Sequence, residues 1–317
     1  MPTFLSNFLE IILAAIISYL ILKNSLPLLK NFFPASPNER SLHKYIKPSS
    51  GGITFILTYN FFAISQGVYL PFLSLPLALV GMIDDKFNLS RLIRYICQIS
   101  TILVFTLFLT QNKNLFISRL IESNFIFIII LLFIGTVIIN SINFMDGIDG
   151  LIAGNMIIIF ATLNFNSYYN LTPIIGALFG FILFNWYPSK VFMGDTGSLF
   201  LGSYLTSLIF SSNNLTEIIK ILFLCSPLLL DSLSCIFRRL LNGQNIFKSH
   251  KLHLYQRLVS NGLSHSVVTS LYMSATVFLS LFYLLFNLFY FTIAVSLIIF
   301  LGIFIDKKYA VNFNQFV

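Results

Sequence analysis

The fold of this chain is set by the stretch Asn140-Ser-Ile-Asn143-Phe-Met-Asp146-Gly-Ile-Asp149-Gly-Leu151, which directly follows the apolar run Phe125–Ile139. Residues three apart share one side of a helical or 3₁₀ turn, so two carboxamides and two carboxylates are predicted to line one wall. Oxygen ligands of this kind suit a hard cation. The alternative is a polar helix end in a solvated loop.

The composition of the chain is that of a membrane protein. Only 9% of the 317 residues are charged, against about 25% in soluble domains, and 57% are hydrophobic. We therefore predict an all-α, polytopic integral membrane protein. The formal net charge of +8 bears first on topology and on contact with membrane lipids, and nucleic acid is not expected as a partner.

The apolar runs predict about ten or eleven transmembrane helices in a single domain that covers residues 1–317. Several runs are shorter than the usual spanning length of about 20 residues, which leaves the count between these two values. Lys23 lies towards the end of the first run, Lys30 follows it and no cation precedes it, unlike a cleavable signal peptide, so this run is expected to be a retained helix. The runs lie at about 8–29, 52–67, 69–83, 92–110, 124–140, 151–165, 171–187, 198–212, 215–233, 267–286 and 289–305.

Lysine and arginine are concentrated in alternate loops between these runs. Because cationic loops remain on the cytoplasmic side, these loops are predicted to face the cytoplasm. The same assignment puts most aspartates at the cytoplasmic ends of helices and so predicts an active site on that face. The cytoplasmic loops are expected at about 30–51, 84–91, 141–150, 188–197 and 234–266.

Two further acidic motifs stand at helix ends. Asp84 and Asp85 are adjacent, and two ionised neighbours require a metal ion, a basic neighbour or a raised pKa on one of them. Asp195 lies between two glycines before an apolar run, where free backbone N–H groups suit a phosphate and the acid can hold a divalent ion. The alternatives are a solvated acid pair and an ordinary helix N-cap.

The longest polar loop carries two histidines. If it is helical, His250, His253 and Arg257 share one face at i, i+3 and i+7, a clamp suited to a diphosphate or a sugar. A zinc site is the rival interpretation, but no third ligand lies near in the sequence. The three cysteines fall in or beside apolar segments without ligand spacing and are expected to be reduced packing residues.

Five sequence blocks, in this order, resemble the polyprenyl-phosphate N-acetylhexosamine-1-phosphate transferases, the integral membrane enzymes of glycosyltransferase family 4. Together with the loop that ends at Arg257, the blocks cover most of the chain from residue 37 to residue 257. The last loop lacks the usual three clustered histidines and is similar to the branch that begins O-antigen or capsule units. The blocks are Pro37-Asn-Glu-Arg-Ser-x-His43 with Gly51-Gly52; Ile83-Asp84-Asp85 with Arg94 and Gln98; the stretch Asn140–Leu151; Asn185-Trp-x-Pro188-x-x-Phe192-Met-Gly194-Asp195-x-Gly197-Ser198; and Asp231 with Arg238-Arg239.

The resemblance implies transfer of a sugar 1-phosphate from a UDP-linked N-acetylated hexosamine to undecaprenyl phosphate, with release of UMP, at the bacterial inner membrane. It implies a Mg²⁺ ion, with Mn²⁺ as the other candidate, held by Asn143 and Asp195. A homodimer is compatible with it. The expected catalytic acids are Asp84, Asp85, Asp146, Asp149 and Asp195, and the expected substrate-binding residues are Lys44, Asn140, Asn185, Arg238, His250, His253 and Arg257.

Other functions are open at this point. Polar groups in membrane helices also mark transporters and channels, although these usually place them near the bilayer midplane and often in repeated halves. Within the same family, the donor could instead carry N-acetylglucosamine or muramoyl-pentapeptide. A catalytically inactive relative that scaffolds polymer assembly is a further alternative. The sequence does not distinguish direct transfer from a two-step route through an aspartyl-phosphate.

Overall fold

The apolar runs form helices, because a backbone in hydrocarbon has to satisfy its own hydrogen bonds. The computed structural model describes residues 2–37, 45–113, 115–166, 170–245 and 250–313. In these ranges, each of the runs coincides with a helix or with a pair of helical segments. The fold class is therefore confirmed as an all-α, polytopic membrane protein.

The helices of the described ranges are numbered in chain order. A 3₁₀ turn (Leu70–Ser74) precedes α3, and β1 (Pro34–Ala35) pairs antiparallel with β2 (Lys47–Pro48). The helices are α1 (Pro2–Phe32), α2 (Ile53–Gln66), α3 (Leu75–Phe87), α4 (Arg91–Leu109), α5 (Phe116–Ser123), α6 (Ile126–Phe144), α7 (Leu151–Asn166), α8 (Thr172–Asn185), α9 (Gly194–Phe210), α10 (Leu215–Leu224), α11 (Ser226–Leu241), α12 (Leu254–Ser260), α13 (His265–Leu285) and α14 (Leu288–Tyr309).

The number of spanning helices is the point on which the structure departs from the sequence prediction. Among the described residues, five helices are long and apolar enough to cross a membrane, namely most of α1 and all of α4, α6, α13 and α14. A sixth span results if α10 and α11, bent by 78° at their junction, count as one. The 14 residues of α2 extend over only about 21 Å, less than the hydrocarbon thickness of about 30 Å. The prediction of ten or eleven crossings therefore exceeds the number of helices with full spanning length.

Helices α1 and α8 pack closely because α8 carries two glycines one turn apart. A Cβ atom at Gly176 would meet the carbonyl oxygen of Ile11, and a Cβ atom at Gly180 would meet that of Ala15. Small residues four apart let helix backbones approach each other in a membrane, where close packing rather than exclusion of water drives association. This contact holds the first helix against the remainder of the bundle.

A second close approach joins the helices that carry the acids. A Cβ atom at Gly81 of α3 would meet the backbone of Asp195 in the first turn of α9. Gly52, directly before α2, lies in the same way against Gly197 of α9. The end of α3 and the starts of α2 and α9 therefore meet without side chains between them, and the acidic end of α3 comes to lie beside Asp195.

A valine at position 180 should weaken the fold, because its side chain would meet the α1 backbone, which cannot move aside as a side chain can. We expect Gly180→Val to cost at least about 1–3 kcal/mol, seen as a lower midpoint of thermal unfolding in detergent. Gly302→Val is the matched control, since Gly302 is also inside a helix and has open space around it. Equal midpoints for the two variants would contradict the packing described for α1 and α8.

Candidate active site

The predicted polar loops converge on one cleft of about 960 Å³. Its walls come from the ends of α3 and α6, the starts of α4, α9 and α12, and the segments around residues 34–36 and 250–253. Four of the five predicted catalytic acids line it, namely Asp84, Asp85, Asp146 and Asp195. Motifs separated by more than 100 residues thus line one cleft.

Asp85 holds the start of α9 in place. Its carboxylate accepts hydrogen bonds from the backbone N–H groups of Asp195 at 3.0 Å and Thr196 at 3.4 Å, and from the Thr196 hydroxyl at 2.9 Å. The Ser50 hydroxyl donates at 2.6 Å from the turn before α2. A carboxylate at a helix N-terminus satisfies backbone donors that have no partner in the helix. Asp85 therefore ties three segments together in addition to lining the cleft.

Arg94 joins two of the acids across the cleft. Its Nη1 atom lies 2.8 Å from Oδ2 of Asp84 and 3.4 Å from Oδ2 of Asp195. Asp84 also accepts a hydrogen bond of 2.6 Å from the backbone N–H of Leu89, so both of its oxygens have partners. Asn143 donates from Nδ2 to Asp195 Oδ1 and to the Ser198 hydroxyl, each at 2.9 Å.

Asp146 is the acid in the cleft whose carboxyl group has no local partner. Among the described residues, no donor lies within hydrogen-bond distance of this half-buried side chain. Burial, followed by repulsion from the carboxylates of Asp85 and Asp149, raises the pKa of Asp146 to about 8. An acid left in this condition takes up either a proton or a cation.

Asn140 lies deeper in the same cleft and is paired with Gln98 of α4. The two amides exchange hydrogen bonds of 2.9 and 3.2 Å. Gln98 belongs to a polar stripe on α4 that also contains Arg91, Arg94 and Tyr95, spaced three or four residues apart. The stripe faces the cleft, while Leu92 and other apolar residues of α4 are exposed on the outside of the bundle.

Asp149 does not share the wall formed by Asn140, Asn143 and Asp146. The three-residue period ends because α6 stops at Phe144 and the turn before α7 includes Gly150 with a φ of +77°. The carboxylate of Asp149 instead accepts hydrogen bonds from the Ser189 backbone at 3.0 Å and hydroxyl at 2.8 Å. This part of the prediction, one wall for all four side chains, is wrong.

The environment of Asp149 favours the ionised form. Burial alone would favour the neutral acid, but the contacts with His265 and Ser189 and the charge of Lys47, 3.7 Å away, outweigh burial and lower the pKa of Asp149. Asn185 is also fixed behind the cleft, where it accepts from the Gly150 N–H at 3.1 Å and donates to the Val191 carbonyl at 3.0 Å. Both residues hold the loop before α9 against the turn before α7.

The two arginines predicted to bind substrate lie outside the cleft and share one carboxylate. Arg238 Nη1 is 2.5 Å from Asp306 of α14, and Arg257 Nη2 is 2.6 Å from the same residue. Arg257 is buried and also donates to the carbonyl groups of Leu252 and Val311. In this geometry both arginines connect α11 and α12 to the last helix. Lys44, predicted to bind substrate, lies outside the described residues.

His250 and His253 do reach the cleft, but Arg257 does not share a face with them. The expected helix begins only at Leu254, so the i, i+3, i+7 geometry does not apply. Burial is the main cause that lowers the pKa of His250 to about 3 and of His253 to about 4, so both imidazoles are neutral at physiological pH. No third ligand lies near these histidines in the sequence, but the fold brings Cys235 of α11 next to both rings.

Sequence reasoning missed several residues that shape the site. Arg94 was noted only as a part of its block, although its position on the same face of α4 as Arg91 and Gln98 is a usable signal. The ring of Tyr255 covers the turn after α6, and its hydroxyl donates to the Phe144 carbonyl at 2.9 Å. Asp306, far along the chain, had no pattern that linked it to Arg238.

The donor set of the cleft fits a hard divalent cation. Asp195 and Asp146 offer carboxylate oxygens, and the Oδ1 atom of Asn143 is left to ligate because its Nδ2 makes both hydrogen bonds. The unpartnered carboxyl of Asp146 is an acid whose repulsion by neighbouring carboxylates a cation would relieve. The residues present therefore agree with the predicted Mg²⁺.

Substitution by alanine should distinguish an acid that accepts several hydrogen bonds, Asp85, from one that accepts none, Asp146. Asp85→Ala removes the acceptor for several donors and is expected to cost about 2 kcal/mol or more, seen as a lower unfolding midpoint in detergent. Asp146→Ala removes an acid that has no hydrogen bond and is repelled by its neighbours, so its midpoint should stay the same or rise. An unfolding midpoint that is lowered by Asp146→Ala and not by Asp85→Ala would contradict this distinction.

Comparisons with known proteins agree with the geometry. Residues 68–213 match the model of the family described as glycosyl transferase family 4. The chain is 27% identical over 317 aligned residues to a probable undecaprenyl-phosphate N-acetylglucosaminyl 1-phosphate transferase of Bacillus subtilis (strain 168), with 86% of this chain and 88% of the relative covered. It is 28% identical over 295 residues to the phospho-N-acetylmuramoyl-pentapeptide-transferase of Staphylococcus saprophyticus, with 80% and 91% covered. By these matches the chain is similar to glycosyl transferase family 4 and to transferases of sugar 1-phosphates that belong to it, and the motifs that carry the similarity converge on one cleft.

Proposed function

We propose that this protein transfers an N-acetylated hexosamine 1-phosphate from a UDP-sugar to undecaprenyl phosphate and releases UMP. The lipid-linked sugar would begin a cell-surface polysaccharide such as an O-antigen or capsule. The supporting observation is the cleft itself, in which aspartates from three separate helix ends stand beside Arg94 and two neutral imidazoles. Transfer between two phosphates depends chiefly on positioning and on neutralisation of charge, for which such a mixture of groups is suited.

The acceptor phosphate would enter at the arginine stripe of α4. Arg91 and Arg94 line the cleft there, and the adjoining outer surface of α4 is apolar, with Leu92 and Ile96 exposed. A polyprenyl chain in the hydrocarbon phase could therefore lie along α4 while its phosphate meets the guanidinium groups. We propose direct attack of this phosphate on the β-phosphorus of the donor, with Asp84 positioning the nucleophile or accepting its proton.

The donor would occupy the opposite wall of the cleft. His250 and His253 can donate one N–H each to diphosphate or sugar oxygens while remaining neutral. Asn140 would act through its paired amide, which fixes Gln98 and the α4 side of the cleft. Asp149, Asn185, Arg238 and Arg257 would contribute indirectly, since each fixes an element of the wall through the contacts described above.

A Mg²⁺ or Mn²⁺ ion would be held by Asn143 and Asp195, and Asp146, which lines the same cleft, would be a further carboxylate ligand. When bound, such an ion neutralises diphosphate oxygens and acts as a Lewis acid. Asp85 supports this group from behind, because it fixes the backbone of Asp195 and of Thr196. The residues of this chain would orient the diphosphate, and the ion would supply the positive charge that neutralises its oxygens.

The relatives and the last polar loop point to different sugars on the donor. The relative from Bacillus subtilis is named for N-acetylglucosamine and the one from Staphylococcus saprophyticus for N-acetylmuramoyl-pentapeptide. The loop His250-Lys-Leu-His253 is instead similar to the branch that uses N-acetylfucosamine or N-acetylquinovosamine. We propose a simple N-acetylated hexosamine, with the cleft open to the cytoplasm of a bacterial inner membrane, in keeping with the cationic loops around it.

Release of UMP tests the proposal directly. Purified protein with undecaprenyl phosphate, Mg²⁺ and a panel of UDP-sugars should release UMP with one of the N-acetylated hexosamines, and Asp146→Asn should lower the rate about 10²–10³-fold. Glu122→Gln is the control, because Glu122 is an exposed acid at the end of α5 and not in the cleft. No UMP with any donor, or equal rates in the two variants, would refute the assignment.

The binding of the cation should depend on pH through Asp146. Below its pKa of about 8, a cation has to displace a proton from this carboxyl, so apparent affinity rises with pH, by up to about tenfold per unit, and levels off above about pH 8. Mn²⁺ affinity can be followed from the electron paramagnetic resonance signal of the free ion at several pH values. In Asp146→Asn the dependence should flatten, and an unchanged slope in that variant would exclude the role of Asp146.

A further inference from the structure

A cysteine and two histidines meet at the edge of the cleft, and the role proposed above for the histidines uses only one nitrogen of each ring and does not involve the cysteine. Cys235, His250 and His253 each bring one potential ligand atom to within 4.8 Å of the others, and Sγ of Cys235 lies 3.9 Å from Nδ1 of His250. Around a tetrahedral zinc ion, sulfur and nitrogen ligands stand about 3.3–3.7 Å apart, given bond lengths of about 2.0–2.3 Å. Small side-chain movements would therefore bring the three atoms to ligand distance.

The second observation is a buried nitrogen without a partner. His253 is only 3% exposed, and its Nδ1 atom has no hydrogen bond among the described residues. The closest acidic atom to it is Oδ1 of Asp231, 3.9 Å away, and that oxygen already accepts from the Leu254 N–H at 2.7 Å. A buried, unpaired imidazole nitrogen normally has a partner, and a metal ion is one that would satisfy it.

The geometry of the chain presents these ligands as a preformed site. Asp231 and Cys235 are four residues apart on the same face of α11, and Asp231 also accepts from the Tyr255 N–H and from the Tyr272 hydroxyl. Its carboxylate thereby fixes the start of α12, and with it the backbone of His253, against α11. The Leu252 N–H donates to Nδ1 of His250 at 3.3 Å, a long hydrogen bond that holds this ring beside Cys235.

We infer that Cys235, His250 and His253 form a second metal site, for an ion of the zinc class, with a fourth position open to the cleft. Thiolate and imidazole select zinc or cobalt over magnesium, so this site is chemically distinct from the carboxylate group at Asp195. The thiolate and the nearby Asp231 carboxylate together balance the two positive charges. A bound ion would connect the loop before α12 to α11 and fix that wall of the cleft.

Cobalt is the probe, because a cobalt–thiolate bond gives a near-ultraviolet charge-transfer absorption that carboxylate sites do not. The protein carries Ser in place of Cys97 and Cys225, so that Cys235 is the only thiol, and is purified in detergent after treatment with a chelator. One equivalent of Co²⁺ should produce the band, one equivalent of Zn²⁺ should abolish it, and excess Mg²⁺ should leave it unchanged. Absence of the band in this protein overturns the inference.

The variant Cys235→Ser in the otherwise native chain is the counterpart, with Cys97→Ser as the matched control. Cys235→Ser should lose the band, and Cys97→Ser should keep it. Without metal, all these proteins should unfold at the same temperature, which would show that Cys235→Ser still folds. Zn²⁺ should raise the unfolding midpoint of the native chain and leave that of Cys235→Ser unchanged. A band of full intensity in Cys235→Ser also overturns the inference. UMP release measured with Mg²⁺ is a separate readout, so the two sites are tested independently.

Discussion

The site depends on one carboxylate placed where three backbone segments touch. Asp85 accepts hydrogen bonds from the first turn of α9 and from the serines before α2, and it can do so because Gly81 lets α3 lie directly against the backbone of Asp195. Without this contact, the free N–H groups at the start of α9 would lack a charged acceptor in a largely apolar bundle. This contact between α3 and α9 places Asp84 beside Asp195, and Asn143 is bonded to Asp195 in turn.

Acids of the same type have different tasks in this cleft, and the difference lies in their partners. Asp85 and Asp149 are surrounded by donors and hold loops and helix starts. Asp84 and Asp195 are paired through Arg94, which limits their repulsion while keeping them close. Asp146 alone among the acids lining the cleft has a carboxyl without a hydrogen bond in the described residues. Asp146 is thus the acid of the cleft that a proton or a cation has to neutralise.

Much of the fold was predictable from the sequence, because apolar runs and helices follow the same physical requirement in a membrane. The run Phe125–Ile139 and the polar residues after it became α6 and one wall of the cleft, as expected for Asn140, Asn143 and Asp146. Asp149 could not be placed in this way, since the period of a helix does not extend through a turn with a left-handed glycine. Contacts such as Cys235 with His250, or Arg257 with Asp306, depend on how distant helices pack, and no local pattern encodes them.

The lone carboxyl of Asp146 also has a meaning for compounds that would block the cleft. A ligand that carries an ammonium group at this point would find an acceptor with no competing donor from the protein, and would form a charge-assisted hydrogen bond in a partly dry environment. An anionic mimic of the nucleotide sugar would have to bring its own counter-ion to the same place. A cationic inhibitor can therefore make a contact with Asp146 that an analogue of the anionic donor cannot make.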